Sequence, residues 1–171
     1  MLMRDYHDQE WGRPLRGRTA MFERMSLEAF QSGLSWLIIL RKRENFRAAF
    51  AGFDIERVAR FTDADIAWLM ADPGIVRNRA KIEATVANAR AAADLDVDLS
   101  ELVWSFAPAP GPRPATLADV PTQTPESAAL AREMKARGFR FVGPTTAYAL
   151  MQATGMVDDH QRDCWGPGSL A

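Results

Sequence analysis

Two glycines five residues apart, Gly138 and Gly143, constrain this chain more than any other feature. Ahead of them, Thr124-Pro125-Glu126 is a strong helix start: a hydroxyl to cap, proline at the first helical position and an acid in the first turn. That helix should stop at Gly138, because glycine adopts the left-handed terminating conformation without steric cost. Gly143-Pro144 then opens a second helix, Thr145–Thr154, closed by Gly155. The chain must therefore accommodate two helices joined by a tight, glycine-bounded turn.

The remaining segments also follow a helical period, with apolar residues recurring at three- and four-residue intervals and no run of strict alternation. An all-α fold follows. The first helix is expected to open at Thr19 and stop at Gly33, carrying Phe22, Met25 and Phe30. Ser35 caps a second that runs through Trp36, Ile39 and Leu40 towards Phe50. Asp54 caps a short helix holding Ile55 and Val58, and Thr62 with Asp65 forms a capping box for a helix ending before Asp72-Pro73. A longer helix is expected over Val76–Ala93, and Ser100 begins another through Trp104. The proline-rich stretch Ala107–Pro114 reads as a loop or lobe boundary.

With 171 residues, the chain is expected to form one domain, or two small lobes sharing a core. Its apolar runs, Trp36–Leu40 among them, are far short of the roughly 20 residues that cross a bilayer. No basic-then-apolar signal segment opens the sequence, so a cytoplasmic monomer away from membranes is the expectation. A single cysteine excludes an intramolecular disulfide. Net charge is −1, but it is unevenly spread: residues 1–50 carry 9 Lys/Arg against 6 Asp/Glu, and residues 51–126 carry 7 against 12. Positive ends flank an acidic middle, a weak hint of an anionic partner.

The turn itself reads Gly138-Phe139-Arg140-Phe141-Val142-Gly143-Pro144-Thr145-Thr146-Ala147. It is similar to the helix-hairpin-helix DNA-binding motif. Its glycines let the backbone approach a phosphate, and the following helix start offers unpaired N–H groups to the anion without reading sequence. Gly138, Phe141, Gly143 and Thr145 are the candidate DNA contacts.

Five further segments extend the likeness: Tyr6-His7-Asp8-Gln9-Glu10-Trp11-Gly12, residues 27–36 (LEAFQSGLSW), Arg43-Glu44-Asn45-Phe46, residues 74–82 (GIVRNRAKI), and Met151-Gln152-Ala153-Thr154-Gly155. With the hairpin, they resemble the type I 3-methyladenine DNA glycosylase family, in that family's order and across nearly the whole chain. The resemblance implies a helix-hairpin-helix glycosylase fold. It also implies removal of 3-methyladenine from alkylated double-stranded DNA, with the free base and an abasic site as products.

Such an enzyme must extrude the base and hold it between flat surfaces. By resemblance, Tyr6, Trp11 and Trp36 line the base pocket, and Glu28 is its catalytic carboxylate and contacts the adenine edge. In DNA the methylated base is cationic, so aromatic faces favour it over a neutral base. The same charge makes it a good leaving group, so modest electrostatic help suffices. Burial of Glu28 would raise its pKa, and sequence leaves its ionisation open. Taken singly, Glu28 reads as a solvated helical acid and Trp36 as core packing. Gln31 and Leu34 match the family's loop that approaches the vacated stack.

His7, His160 and Cys164 resemble three ligands of the family's structural zinc. The fourth, a cysteine shortly before the His7 position, has no counterpart in residues 1–6. Either the chain starts late relative to the family or the site is incomplete. Val157-Asp158-Asp159-His160 resembles a stretch that carries a catalytic aspartate in other helix-hairpin-helix glycosylases, which makes Asp158 the alternative catalytic group and Asp159 a structural one. No lysine sits in or just after the hairpin, the nearest being Lys135, which points to hydrolysis without strand cleavage. Two other classes compete: a DNA-binding protein that recognises lesions without excising them, and an all-α protein whose hairpin only packs.

Overall fold

Helix N-caps set most of the element boundaries in the computed structural model, which describes residues 1–164. The helices are α1 (Leu2–Gln9), α2 (Arg18–Gln31), α3 (Trp36–Ala49), α4 (Ile55–Ala59), α5 (Asp63–Ala71), α6 (Arg79–Ala93), α7 (Leu99–Trp104), α8 (Pro125–Ala136) and α9 (Pro144–Ala153). Short 3-10 turns occupy Ala51–Phe53 and Leu117–Asp119, and the described residues contain no strand. None of the helices is long and apolar enough to cross a membrane.

The Ser35, Asp54 and Thr124 side chains each accept a first-turn backbone N–H, and Thr62 and Asp65 cap each other's backbone reciprocally. Two boundaries differ from expectation because another residue caps. Asn78 accepts from the Lys81 N–H, so α6 starts at Arg79 and leaves Val76 and Arg77 outside. Asp98 accepts from the Ser100 and Glu101 N–H groups, so α7 starts at Leu99, and the Ser100 hydroxyl instead accepts from the Gly17 N–H. Helix α2 runs from Arg18 to Gln31, one residue earlier at its start than expected and short of Gly33. Helix α1 has no counterpart in the sequence-based elements.

Helix α2 is the centre of the molecule, packed against α3, α6, α7 and α9. Nine of its residues are buried, from Met21 to Phe30, including Arg24, Ser26 and Glu28. The buried apolar side chains form one contiguous cluster reaching from α2 to Met156, in which Phe22, Phe30, Phe46, Phe50 and Phe53 are wholly enclosed. Each such burial contributes roughly 1.5–3 kcal/mol. That packing carries the polar side chains of α2 inward with the apolar ones.

Helices α8 and α9 pack as an antiparallel pair, and the turn between them has Gly138 at φ +90°. Phe139 and Val142 are buried beneath it while Phe141, at φ +55°, stands exposed. Asn88 of α6, itself buried, fixes the turn from below: its Nδ2 donates to the Arg140 carbonyl (3.0 Å), and its Oδ1 accepts from the Arg140 N–H (2.7 Å). At the far end of α9, Gly155 sits at φ +75°, where a Cβ would lie 2.6 Å from the carbonyl carbon of Arg13. The Leu15 N–H donates to the Thr154 carbonyl, so the segment after α1 is sealed directly against the end of α9.

Candidate active site

A cavity of about 310 Å³ opens between α1, α2, the start of α3 and α9. Tyr6, His7, Trp11, Glu28, Gln31 and Trp36 line it, with Met3, Ala149 and Gln152. Tyr6 comes from the buried face of α1, and its ring centroid lies 5.4 Å from that of Trp36 at 46°. Glu28 is 7% exposed, and among the described residues it has no hydrogen-bond or ion-pair partner. Burial pushes its carboxyl up to about 7, opposed only by the nearby Arg24 charge. A partnerless carboxyl facing an aromatic cavity is costly to the free protein and available to a ligand.

Beneath the cavity lies a chain of charge. The Arg24 guanidinium, almost fully buried, donates to the Tyr6 hydroxyl and reaches Glu10 Oε2 at 3.4 Å. It also lies 5.2 Å from the Tyr6 ring centroid and 5.9 Å from that of Trp36. Glu10 is gripped in turn by Arg43, Nη1 to Oε2 at 2.7 Å and Nη2 to Oε1 at 3.0 Å. Burial alone would raise the Glu10 carboxyl, but the Arg43 fork holds it below the usual carboxylate range. Burial pushes the Tyr6 phenol upward, so it stays protonated across the physiological range.

The loop joining α2 to α3 is held from within. Gln31 Nε2 donates to the Leu34 carbonyl at 2.7 Å, and Lys81 Nζ donates to the carbonyls of Phe30 and Ser32 at 2.9 and 2.5 Å, neutralising the end of α2. Gln31 therefore both borders the cavity and braces the loop, whereas Leu34 is half-buried and lies outside the cavity lining. In the basic run Arg41-Lys42-Arg43, Arg43 is committed to Glu10 and Lys42 to the carbonyls of Pro73 and Gly74. Gly138, Phe141, Gly143 and Thr145 are all exposed on the hairpin, and no side chain caps α9. One helix connects the two regions: Thr145 stands at its start, and Gln152, about 10 Å further along its axis, lines the cavity.

The candidate metal ligands approach one another where α1 adjoins the segment after α9. His7 Nε2 lies 3.4 Å from Cys164 Sγ, and the His7 and His160 ring centroids are 5.1 Å apart. Asp8 bonds His7 Nδ1 at 2.8 Å, Asp158 bonds His160 Nδ1 at 2.7 Å, and among the described residues the buried His160 Nε2 has no partner. Tetrahedral zinc sets a nitrogen and a sulfur ligand about 3.5 Å apart, and zinc-bound histidines characteristically bond a carboxylate through the other ring nitrogen. The donor types and their carboxylate partners suit zinc, but among the described residues no three His, Cys, Asp or Glu side chains are placed to hold a metal ion. Asp158 also accepts from Arg113 Nε (2.7 Å), and Asp159 accepts from the Tyr148 hydroxyl (2.6 Å) and Gln152 Nε2 (2.8 Å). Neither aspartate borders the Glu28 cavity.

The methyladenine glycosylase family pattern matches residues 1–166. The chain belongs to that family. It is 45% identical over 166 residues to a DNA-3-methyladenine glycosylase of Haemophilus influenzae, covering 94% of this chain and 89% of that one. Among solved structures it is similar to a 3-methyladenine DNA glycosylase I at 44% identity and TM-score 0.93, covering 97% and 94% of the two chains. It is also similar to the enzyme from Staphylococcus aureus solved to explain 3-methyladenine recognition, at 35% identity and TM-score 0.93 over 98% and 92%. These matches carry the expected helical glycosylase fold.

Within this methyladenine glycosylase, several residues in or beneath the cavity have no place in the sequence-based set of site residues. Arg24 precedes Glu28 by one helical turn, and that i, i+4 spacing was the available signal for a shared face. Glu10 lies inside a quoted segment but gives no sign of pairing with Arg43, 33 residues away. Ala149 and Gln152 lie on α9, and only the packing of α9 on α2 brings them to the cavity.

Proposed function

We propose that this chain hydrolyses the N-glycosidic bond of 3-methyladenine in alkylated duplex DNA, releasing the base and leaving an abasic site. The observation that carries the reading is the buried, partnerless Glu28 carboxyl facing Tyr6 and Trp36. A base still joined to its sugar is cationic. Its entry next to Glu28 lowers that group's pKa from about 7 and draws it into the ionised form, so charge on the lesion and charge on the protein arise together. An undamaged, neutral purine supplies no such compensation.

Once the C1′–N9 bond breaks, its electron pair passes to the ring and cancels the positive charge. The base leaves as neutral 3-methyladenine, water adds to C1′, and the displaced proton goes to solvent. Glu28 and the aromatic faces bind and orient the cation. Gln31 and Leu34 face the gap in the duplex, and Gly138, Phe141, Gly143 and Thr145 hold its phosphates at the start of α9. Zinc, held by His7, His160 and Cys164, would tie the ends of the fold together and take no part in bond cleavage.

The test is release of free 3-methyladenine from methylated duplex DNA. The wild-type chain should release it, and Glu28→Gln should lower the rate at least 100-fold while remaining folded. Borohydride should trap no covalent enzyme–DNA adduct. Equal activity of the Glu28→Gln chain would remove the basis of the proposal. Metal analysis of purified protein should find one zinc per chain, and its absence would withdraw the metal assignment alone.

A further inference from the structure

Next to the base cavity lies a second recess of about 400 Å³, lined by Leu117, Val120 and Pro121 and by Tyr148, Ala149 and Gln152 of α9. It reaches Thr145 at the start of that helix, where the strand's phosphates are placed. Trp11, Ala149 and Gln152 border both spaces, and of these only Gln152 carries a hydrogen-bond acceptor on its side chain. A base seated in the cavity stays joined to a strand outside it, so the C1′–N9 bond crosses this shared wall. Addition of water to C1′ takes place there too.

The Gln152 amide is held in one orientation. Its Nε2 donates to Asp159 Oδ2 at 2.8 Å, and a carboxylate only accepts, so the reversed amide would set oxygen against oxygen. The Tyr148 hydroxyl donates to the same Oδ2 at 2.6 Å, which fixes the carboxylate in turn. Gln152 Oε1 is left over, without a partner among the described residues. We propose that Gln152 is a catalytic residue of the hydrolysis, whose Oε1 holds the attacking water against C1′, and that Asp159 is the residue that positions it. The inference rests on the reading that the cavity holds the alkylated base.

The departing base takes the C1′–N9 electron pair and leaves a sugar cation, which it recaptures unless another nucleophile is already in place. A water that donates one O–H to Oε1 turns a lone pair away from the amide, towards that cation. The lone pair forms the new C1′–O bond, and the water gives up one proton. An amide does not keep a proton, so it passes to solvent through the open recess. No general base is needed, because the leaving group is already activated.

Excision is followed in single turnovers on methylated duplex DNA with methanol added, and mass spectrometry divides the product between the hydrolysed abasic sugar and its methyl glycoside. Binding of free 3-methyladenine is measured alongside by quenching of tryptophan fluorescence. Gln152→Met should slow excision about tenfold, the worth of one well-made hydrogen bond. It should also raise the methyl glycoside share, because methanol then competes with a water no longer held, and leave base binding unchanged. Asp159→Asn, whose side-chain oxygen still accepts from Nε2, should keep the wild-type share, and Asp159→Ala should raise it. An unchanged rate or an unchanged share in Gln152→Met overturns the proposal, as does a loss of base affinity equal to the loss of rate. Should Gln152→Met fail to fold by circular dichroism, Asp159→Ala decides: the wild-type share overturns the proposal and a raised share supports it. Glu28→Gln should keep the wild-type share on its residual turnover, and a raised share there would put the water at Glu28 and overturn this proposal alone. Base affinity in Glu28→Gln equal to that of the wild type would overturn the base-pocket reading, and the proposal with it.

Discussion

Replacing Glu28 with glutamine should make the protein more stable and less active, and the gain should depend on pH in a way fixed by the structure. Glutamine keeps the shape and removes the titration. A carboxyl raised by burial from 4.5 to about 7 favours the folded state while protonated. As pH rises from the unfolded value to the folded one, the unfolded chain ionises and the folded chain resists, so this group's contribution to stability falls progressively and is gone above about 7. At about 1.4 kcal/mol per pH unit, the displacement amounts to roughly 3 kcal/mol. For a chain of this length each kcal/mol moves the melting temperature by about 2–4 °C. The Glu28→Gln chain should therefore melt close to the wild type at pH 4.5 and roughly 6–12 °C above it at pH 8. Melting curves by circular dichroism across that range measure the difference directly. A constant offset between the two proteins, whatever its size, would refute the argument, because it would mean that Glu28 ionises in the fold as it does in water. Excess 3-methyladenine at pH 8 should raise the wild-type midpoint by mass action and leave that of the variant nearly unchanged.

Other perturbations separate the parts of the fold. Asn88→Ala removes both hydrogen bonds under the hairpin turn, and should weaken duplex binding about tenfold while free 3-methyladenine still binds normally, as read by fluorescence anisotropy against base titration. Gly155→Ala drives a methyl group to 2.6 Å from backbone at a left-handed position, and should cost at least about 2 kcal/mol in urea unfolding, with a cost near zero refuting the close approach. Asp158→Asn weakens the contacts to Arg113 and His160, so it should lower the melting temperature yet leave the excision rate per folded molecule within about threefold. Loss of excision without loss of stability would instead make Asp158 the catalytic group.

Local chemistry made much of the architecture legible. Thr62 with Asp65, Asp54 and Thr124-Pro125 announce helix starts through side chains a few residues away, and the structure places caps at each. Helix α1 escaped because its four-residue contacts are few and its stability comes from Tyr6 docking into the interior, a contact formed with α2 and α3. Glu28 shows the same limit from the other side: alone on a helix it reads as solvated, and only a helix buried on nearly all faces carries it to 7% exposure. The basic run Arg41-Lys42-Arg43 reads as one patch, yet two of its members serve distant partners, Glu10 and the Pro73-Gly74 turn. Pairings across 14 to 33 residues leave no trace in spacing, which is why the links from Arg24 and Arg43 to Glu10 entered only with the coordinates.

The seal between Gly155 and the Arg13-Pro14 peptide bears on how the enzyme comes into being during synthesis. Trp11 precedes the core helices in the chain, but the His160 ring it packs against and the α9 wall of the cavity follow all of them. A nascent chain can assemble its phenylalanine-rich centre well before that surface exists, and through that interval it has no complete recess in which to hold an extruded purine. Competence to excise should therefore arrive late and abruptly, so that partly translated chains on polysomes leave DNA untouched.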